Sequence, residues 1–175
     1  MVLLIVDAQK AIVNESLYRY DLFMAHVQEL IAQARRHSVE VIYVRHDDGP
    51  GHELTPGNPG YEIHGAFQPQ ADERIFDKQV NSAFRGTGLL EYLQSKQERD
   101  IIIAGLQTDY CIDATIKAGF EHGFRMVVPT HANSTFANPY MTAEQAYKYH
   151  NEFMWPRRYA QCVPFEEALD RMAHT

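Results

Sequence analysis

The sequence has little cysteine and little positive charge. Its 175 residues include only two cysteines, Cys111 and Cys162, and neither stands in a CxxC pair. A disulfide-rich scaffold and a zinc site built from CxxC pairs are therefore excluded. Lysine and arginine total 16 against 23 aspartates and glutamates, which gives a net charge of −7. Because no cluster of basic residues offsets this charge, we expect neither nucleic acid nor an anionic membrane as a partner.

Long hydrophobic runs are also missing. The first apolar run covers residues 2–6 and stops at Asp7, so it is too short for a membrane span or a signal peptide. We therefore expect a cytoplasmic protein. Hydrophobic residues make up 45% of the chain and charged residues 22%, a mixture that argues against disorder. A chain of this length is expected to form one domain over residues 1–175 with its own core.

Short apolar runs alternate with segments of helical period. The runs lie at residues 2–6, 39–44, 75–76, 101–104 and 126–128, with a weaker one at 159–163. Helices are predicted at 23–34, 88–96, 109–122, 142–153 and 164–173, and a capping box opens the fourth at Thr142. This alternation is typical of an α/β protein whose open parallel sheet carries helices on both faces. The stretch 46–72, rich in Gly and Pro, is predicted to be an ordered loop.

Three reactive side chains follow predicted strands, at the edge where ligands bind in such sheets. Asp7 follows the first strand, Lys78 the third, and Cys111 the fourth after a short turn. With Thr108 as N-cap, Cys111 lies in a first helical turn, where the helix dipole and Lys78 would favour its thiolate. Asp7 would then accept the thiol proton. From spacing alone, packing roles for all three residues stay open, and Cys162 is expected only to pack.

Three motifs resemble those of a known superfamily. They are LIVDAQ at residues 4–9, KQVNSAF at 78–84 and AGLQTDYCIDAT at 104–115. In this order and spacing they resemble the isochorismatase-like cysteine hydrolases, which include nicotinamidases and N-carbamoylsarcosine amidase. The resemblance covers nearly the whole chain. It implies a Rossmann-like, three-layer α/β/α fold with a six-stranded parallel sheet, and a homo-oligomer.

The resemblance also implies a site. Its catalytic triad would be Asp7, Lys78 and Cys111, and a cis peptide bond would join Leu106 and Gln107. The backbone amides of Gln107 and Cys111 would receive the oxyanion of the reaction. The implied reaction is cleavage of a C–N bond in a small amide through a thioester on Cys111. Candidate substrate contacts are Gln9, Phe84 and Tyr110.

One departure concerns metal. Nicotinamidases of this superfamily bind a divalent metal through an Asp-x-His pair after the second strand and a later His. Residues 45–50 here read RHDDGP, which lacks the pair, so we expect no metal and no cofactor. Whether His46, His52 and His64 bind a metal nonetheless stays open.

Other functions also stay open at this point. The alternatives are a metal-dependent amidase of the nicotinamidase type and a non-catalytic member of the superfamily that binds a metabolite. A phosphoryl-accepting receiver domain would need an acidic cluster, which the strand ends lack. A dinucleotide-binding module would need a Gly-rich turn after the first strand, and residues 7–10 read DAQK.

Overall fold

The computed structural model describes residues 1–174, which form a parallel β-sheet between two layers of helices. The strands are β1 (Val2–Val6), β2 (Glu40–His46), β3 (Arg74–Lys78), β4 (Asp100–Leu106), β5 (Arg125–Pro129), β6 (Asn133–Ser134) and β7 (Gln161–Val163). The helices are α1 (Tyr20–Arg36), α2 (Leu89–Ser95), α3 (Asp113–Glu121), α4 (Ala143–Lys148) and α5 (Phe165–Ala173). Two π-helical turns, Thr108–Ile112 and Tyr149–Met154, adjoin α3 and α4.

The sheet order is β3-β2-β1-β4-β5-β7, and every pairing is parallel. This confirms the predicted α/β fold with a six-stranded parallel sheet. A seventh strand, β6, pairs only with the end of β4 through Gly105 and Leu106. It comprises two residues, which is too short for an apolar period to reveal in sequence. The predicted capping box at Thr142 is also present.

Alternation along β1 explains the two helical layers. Leu3 and Ile5 belong to an apolar cluster with α1 and α5, whereas Val2, Leu4 and Val6 belong to a second cluster with α2 and α3. All five side chains are fully buried, because helices cover both faces of the sheet. None of the helices within residues 1–174 combines the length and the apolar character needed to cross a bilayer.

The strand order places a crevice between β1 and β4. From β1 the chain runs outward to β2 and β3, and then returns to the other side of β1 at β4. Loops that follow two such strands leave in opposite directions, which opens a crevice at their carboxyl ends. Asp7 directly follows β1, and the π-helical turn with Cys111 follows β4. The fold therefore brings two of the predicted reactive residues to one crevice.

The loop from residue 46 to residue 72 is ordered against this edge, as predicted. Tyr61, Ile63 and Phe67 are buried, with at most 3% of each exposed. Ile63 also forms an antiparallel bridge with Gln9, which lies just beyond β1. The loop is therefore anchored beside the crevice and contributes to its wall.

Candidate active site

The ammonium of Lys78 is the centre of the site. Its Nζ donates to Asp7 Oδ2 at 2.8 Å and to Cys111 Sγ at 3.1 Å. It also lies 2.8 Å from His46 Nδ1. An ammonium has three N–H groups, so these three acceptors use all of them. The structure therefore brings together the three residues of the predicted triad and adds a fourth, His46.

Backbone geometry at two strand ends positions Asp7. Its φ of 51° is left-handed, which turns the chain out of the sheet directly after β1. Gly105 in β4 lies so close to β1 that a Cβ there would be 1.9 Å from the carbonyl oxygen of Val6. Its φ of +125° is likewise one that L side chains rarely adopt. Only glycine therefore fits where β4 passes the start of the Asp7 turn.

The turn that carries Cys111 differs from the predicted helix start. It begins as a π-helical turn whose N-cap is Gln107, and the prediction of Thr108 as N-cap was wrong. The amides of Tyr110 and Ile112 both donate to the Gln107 carbonyl, at 3.2 and 3.1 Å. The peptide bond between Leu106 and Gln107 is cis, at the position that the resemblance implies.

A buried polar network holds this turn from below. Thr108 donates its hydroxyl to Asn133 Oδ1 at 2.7 Å, which explains why it does not cap the helix. Asn133 in turn exchanges hydrogen bonds with Asn151, at 2.9 and 3.1 Å. Asp109 accepts a further hydrogen bond from Thr135. The residues around Cys111 are thus fixed by β6, the residue after it and the second π-helical turn.

Burial and charge act in opposite directions on the acidity of Asp7. Burial raises the pKa of this residue, and the Lys78 charge opposes the shift. The pKa of Cys111 is raised to about 12 by burial and by the Asp7 carboxylate, again against Lys78. Lys78 lowers the pKa of Cys111, as predicted, but burial and the Asp7 carboxylate outweigh this effect, so the neutral thiol is favoured over the thiolate. A neutral thiol needs a neighbouring base to remove its proton before it reacts. Asp7 Oδ1 is buried without a hydrogen-bond partner, so this oxygen is free to accept a proton.

Cys111 opens onto a cavity of about 280 Å³ at the crevice. Its volume suits a small molecule rather than a polymer. The cavity is lined by Asp7, Ile12, His46, Asp48, Leu54, Asn81, Gln107, Tyr110 and Cys111.

Of the three predicted substrate contacts, only Tyr110 lines this cavity. Gln9 is buried, and its amide group bonds to backbone: it donates to the His46 and Tyr61 carbonyls and accepts from the His46 amide, all within 2.9 Å. It therefore fastens the loop rather than facing a ligand. Phe84 stacks on Phe124 at 5.6 Å inside the apolar cluster behind the site. Both side chains lie outside the lining because neighbouring elements already surround them.

The sequence prediction missed Asp48 and Asn81 as parts of the site and considered His46 only as a possible metal ligand. His46 Nε2 lies 3.0 Å from Asp48 Oδ1, and Asn81 Oδ1 lies 3.8 Å from Cys111 Sγ. His46 ends β2, so the rule that selected Asp7 and Lys78 could also have selected it. Asn81 lies three residues after Lys78, and this closeness in sequence could have pointed to it. Asp48 gave no signal of its own.

One group of potential metal ligands exists among residues 1–174. Ligand atoms of Asp7, His46 and Cys111 lie within 4.8 Å of one another. The Lys78 ammonium contacts all three at 3.1 Å or less, so a side-chain cation already lies between them. His64 does not join this group; its Nδ1 accepts from the amide of Ala66.

Known proteins are similar to this chain in sequence. Residues 1–155 match the model of the isochorismatase domain. A streptothricin hydrolase of Streptomyces noursei is 30% identical over 139 residues, which are 78% of this chain and 50% of that protein. Maleamate amidohydrolase of Pseudomonas putida is 28% identical over 122 residues, which are 70% of this chain and 54% of that protein. The chain thus spans about half the length of these curated relatives.

The similarity extends to solved structures. A crystal structure of an isochorismatase family protein has a TM-score of 0.85 and 29% identity, over 93% of this chain and 96% of that one. The matched domain covers most of the chain, and the fold agrees over nearly its full length. This chain therefore belongs to the isochorismatase family.

Proposed function

We propose that the chain is a cysteine hydrolase that cleaves the C–N bond of a small amide, with Asp7, Lys78 and Cys111 as catalytic residues. The observation that carries this proposal is the buried Lys78 ammonium in contact with both the Asp7 carboxylate and the Cys111 thiol. A base, a fixed cation and a nucleophile beside one small cavity are the parts that acyl transfer requires. A similar protein, from Pseudomonas putida, is named an amidohydrolase.

In the first half of the reaction Asp7 accepts the thiol proton as Cys111 Sγ attacks the amide carbonyl carbon. Lys78 remains an ammonium and stabilises the transient thiolate, which lowers the cost of creating a charge in a buried site. The carbonyl oxygen becomes an oxyanion near the backbone amides of Gln107 and Cys111, at the start of the π-helical turn. Collapse breaks the C–N bond, and the leaving nitrogen takes the proton from Asp7.

The second half regenerates the enzyme. Water enters the place of the departed amine, gives a proton to Asp7 and attacks the thioester carbonyl. Breakage of the C–S bond releases the carboxylic acid, and the sulfur recovers its proton from Asp7. One amide and one water thus become one acid and one amine, and no redox partner is needed.

The test is ammonia release from a panel of small primary amides, with wild type, Cys111→Ala and Cys162→Ser compared. We expect wild type and Cys162→Ser to release ammonia at similar rates and Cys111→Ala to be inactive. A Cys111→Ala protein that retains full activity would overturn the proposal. Each assay is repeated after chelation of divalent metals, because activity lost to the chelator would indicate a metal-dependent amidase instead.

A further inference from the structure

The charges around the cavity indicate the charge of the substrate, and this inference rests on the proposed function. Among the described residues that line it, Asp7 and Asp48 are acidic and none is Lys or Arg. The Asp7 carboxylate is paired with the Lys78 ammonium. Asp48 is different, because 44% of its side chain is exposed and its contact is with His46.

Hydrogen bonding shows that His46 does not neutralise Asp48. The Lys78 ammonium can only donate, so His46 Nδ1, 2.8 Å away, has to accept and carries no proton. The proton of the neutral ring then sits on Nε2 and points to Asp48 Oδ1 at 3.0 Å. The imidazole therefore orients the Asp48 carboxylate and adds no charge to cancel it.

The charged side chains that precede Asp48 in the sequence make contacts of their own. Arg45 binds Asp77 at 2.9 Å and lies over the ring of Tyr61 at 4.4 Å. The Asp47 carboxylate accepts from the amide of Gly49 at 2.8 Å and from Gln79 at 2.9 Å. Asp48 therefore leaves the cavity with one uncompensated negative charge.

We infer that the substrate is an amide that carries a positive charge, such as a protonated amine, and no carboxylate. A substrate carboxylate would lie near Asp48 without a free cation to receive it, which costs affinity. A substrate ammonium gains an ion pair with Asp48. Ile12 and Leu54 give the same cavity an apolar wall for the carbon chain that joins the ammonium to the amide. The net charge of −7 also attracts a cationic substrate from solution.

The test uses Cys111 itself as the reporter, so that it does not depend on hydrolysis. Methanethiosulfonates of similar size with an aminoethyl or a sulfonatoethyl group react with a thiol to form a disulfide and release methanesulfinate. In a Cys162→Ser background, Cys111 is the one cysteine of the chain. Each second-order rate constant is divided by that for a small free thiol, which removes intrinsic differences between reagents.

We expect the cationic reagent to label Cys111 faster than the anionic one. Asp48→Asn should lower this cation-to-anion ratio by about tenfold, since an exposed charge contributes modestly to each reagent and with opposite sign. Asp47→Asn is the matched control: it removes the same charge one residue away and should leave the ratio unchanged. If Asp48→Asn also disturbed the orientation of His46, both reagents would react more slowly and the cation-to-anion ratio would not change.

Two results would overturn the inference: an anionic reagent that reacts as fast as the cationic one, or a ratio that Asp48→Asn does not change. Hydrolysis of 3-aminopropanamide, butanamide and succinamate is measured in parallel. If none is hydrolysed, the proposed function fails whatever the labelling shows. If amides are hydrolysed with succinamate the best substrate, only the inference about charge fails.

Discussion

Two cysteines with similar acidity occupy very different surroundings. Burial alone raises the pKa of Cys162 to about 12. The pKa of Cys111 is also raised to about 12, but there a carboxylate and an ammonium act in opposite directions. Cys162 lies in β7 and faces a separate cavity of about 350 Å³, whereas Cys111 contacts Lys78 at 3.1 Å. Acidity therefore does not separate the two thiols; a neighbouring base and a fixed cation do.

The largest expected difference between the two cysteines is in amide hydrolysis. Cys111→Ser should lower kcat/KM by about a thousandfold or more, because the hydroxyl is a poorer nucleophile at this site than sulfur. Cys162→Ser should stay within about twofold of wild type, since that thiol takes no part in the reaction. Initial rates of ammonia release measure both. Similar losses in the two variants would contradict the assignment.

The second prediction concerns the ion pair that distinguishes the Cys111 region. Lys78→Met leaves the Asp7 carboxylate buried without its cation, so unfolding free energy should fall by about 3–5 kcal/mol. Lys117→Met removes an ion pair of similar length, 2.7 Å to Asp113, but the Lys117 side chain is 37% exposed and the loss should be below about 1 kcal/mol. Urea unfolding followed by circular dichroism compares them. Equal destabilisation by the two substitutions would show that burial of the Lys78 ion pair does not increase its contribution to stability.

His46 also distinguishes the surroundings of the two cysteines. It contacts the Lys78 ammonium beside Cys111, whereas the pKa of Cys162 is shifted by burial alone. His46→Leu removes an acceptor of the Lys78 ammonium and should lower kcat by about tenfold, with KM little changed. His46→Asn keeps an oxygen close to the position of Nδ1 and should recover most of that loss. Steady-state kinetics of both variants test this positioning role. If leucine and asparagine behave alike, His46 has only a packing role.

The smallest expected effect is a shift in pH dependence. Burial raises the pKa of Asp7 above its ordinary value of 3.8, so the carboxylate that acts as the base forms only at higher pH. The acid limb of the pH profile of kcat/KM should therefore lie above 3.8. The same sign governs stability: below the raised pKa Asp7 is protonated in the fold, and the cost of its buried charge disappears. Asp7→Asn should remove this linkage from unfolding curves measured across the limb. A limb at or below 3.8 would contradict the shift.

Much of the architecture could be predicted from sequence because its signals are local. The apolar run at residues 2–6 predicts a strand, and the spacing of Phe23, Val27 and Leu30 predicts a helix face. Both patterns lie within short segments of the sequence. Asp7 could be found because it directly follows a strand, Lys78 because it ends one, and parallel strands end at one edge. Residues at the end of a strand can therefore be identified without knowledge of the tertiary packing.

The rest depends on contacts between distant segments. Asp48 reaches the cavity because its loop folds back over the sheet edge. Gln9 holds the loop there through a hydrogen bond to the backbone of Tyr61, 52 positions later in the sequence. Thr108 fails to cap its helix because Asn133, 25 positions later, takes its hydroxyl. The sign of the Cys111 pKa shift depends on total burial, which no single segment determines. Sequence patterns thus located the residues of the proposed triad but not the contacts that surround them.

The proposed reaction requires Cys111 to form a thioester with the acyl group of an amide. The most direct measurement adds hydroxylamine during turnover and combines product analysis with mass spectrometry of the peptide that contains Cys111. We expect hydroxamate to form at the expense of acid, and rapid acid quenching to leave the acyl mass on Cys111. Hydrolysis with neither a hydroxamate nor an adduct on Cys111 would contradict the proposed reaction.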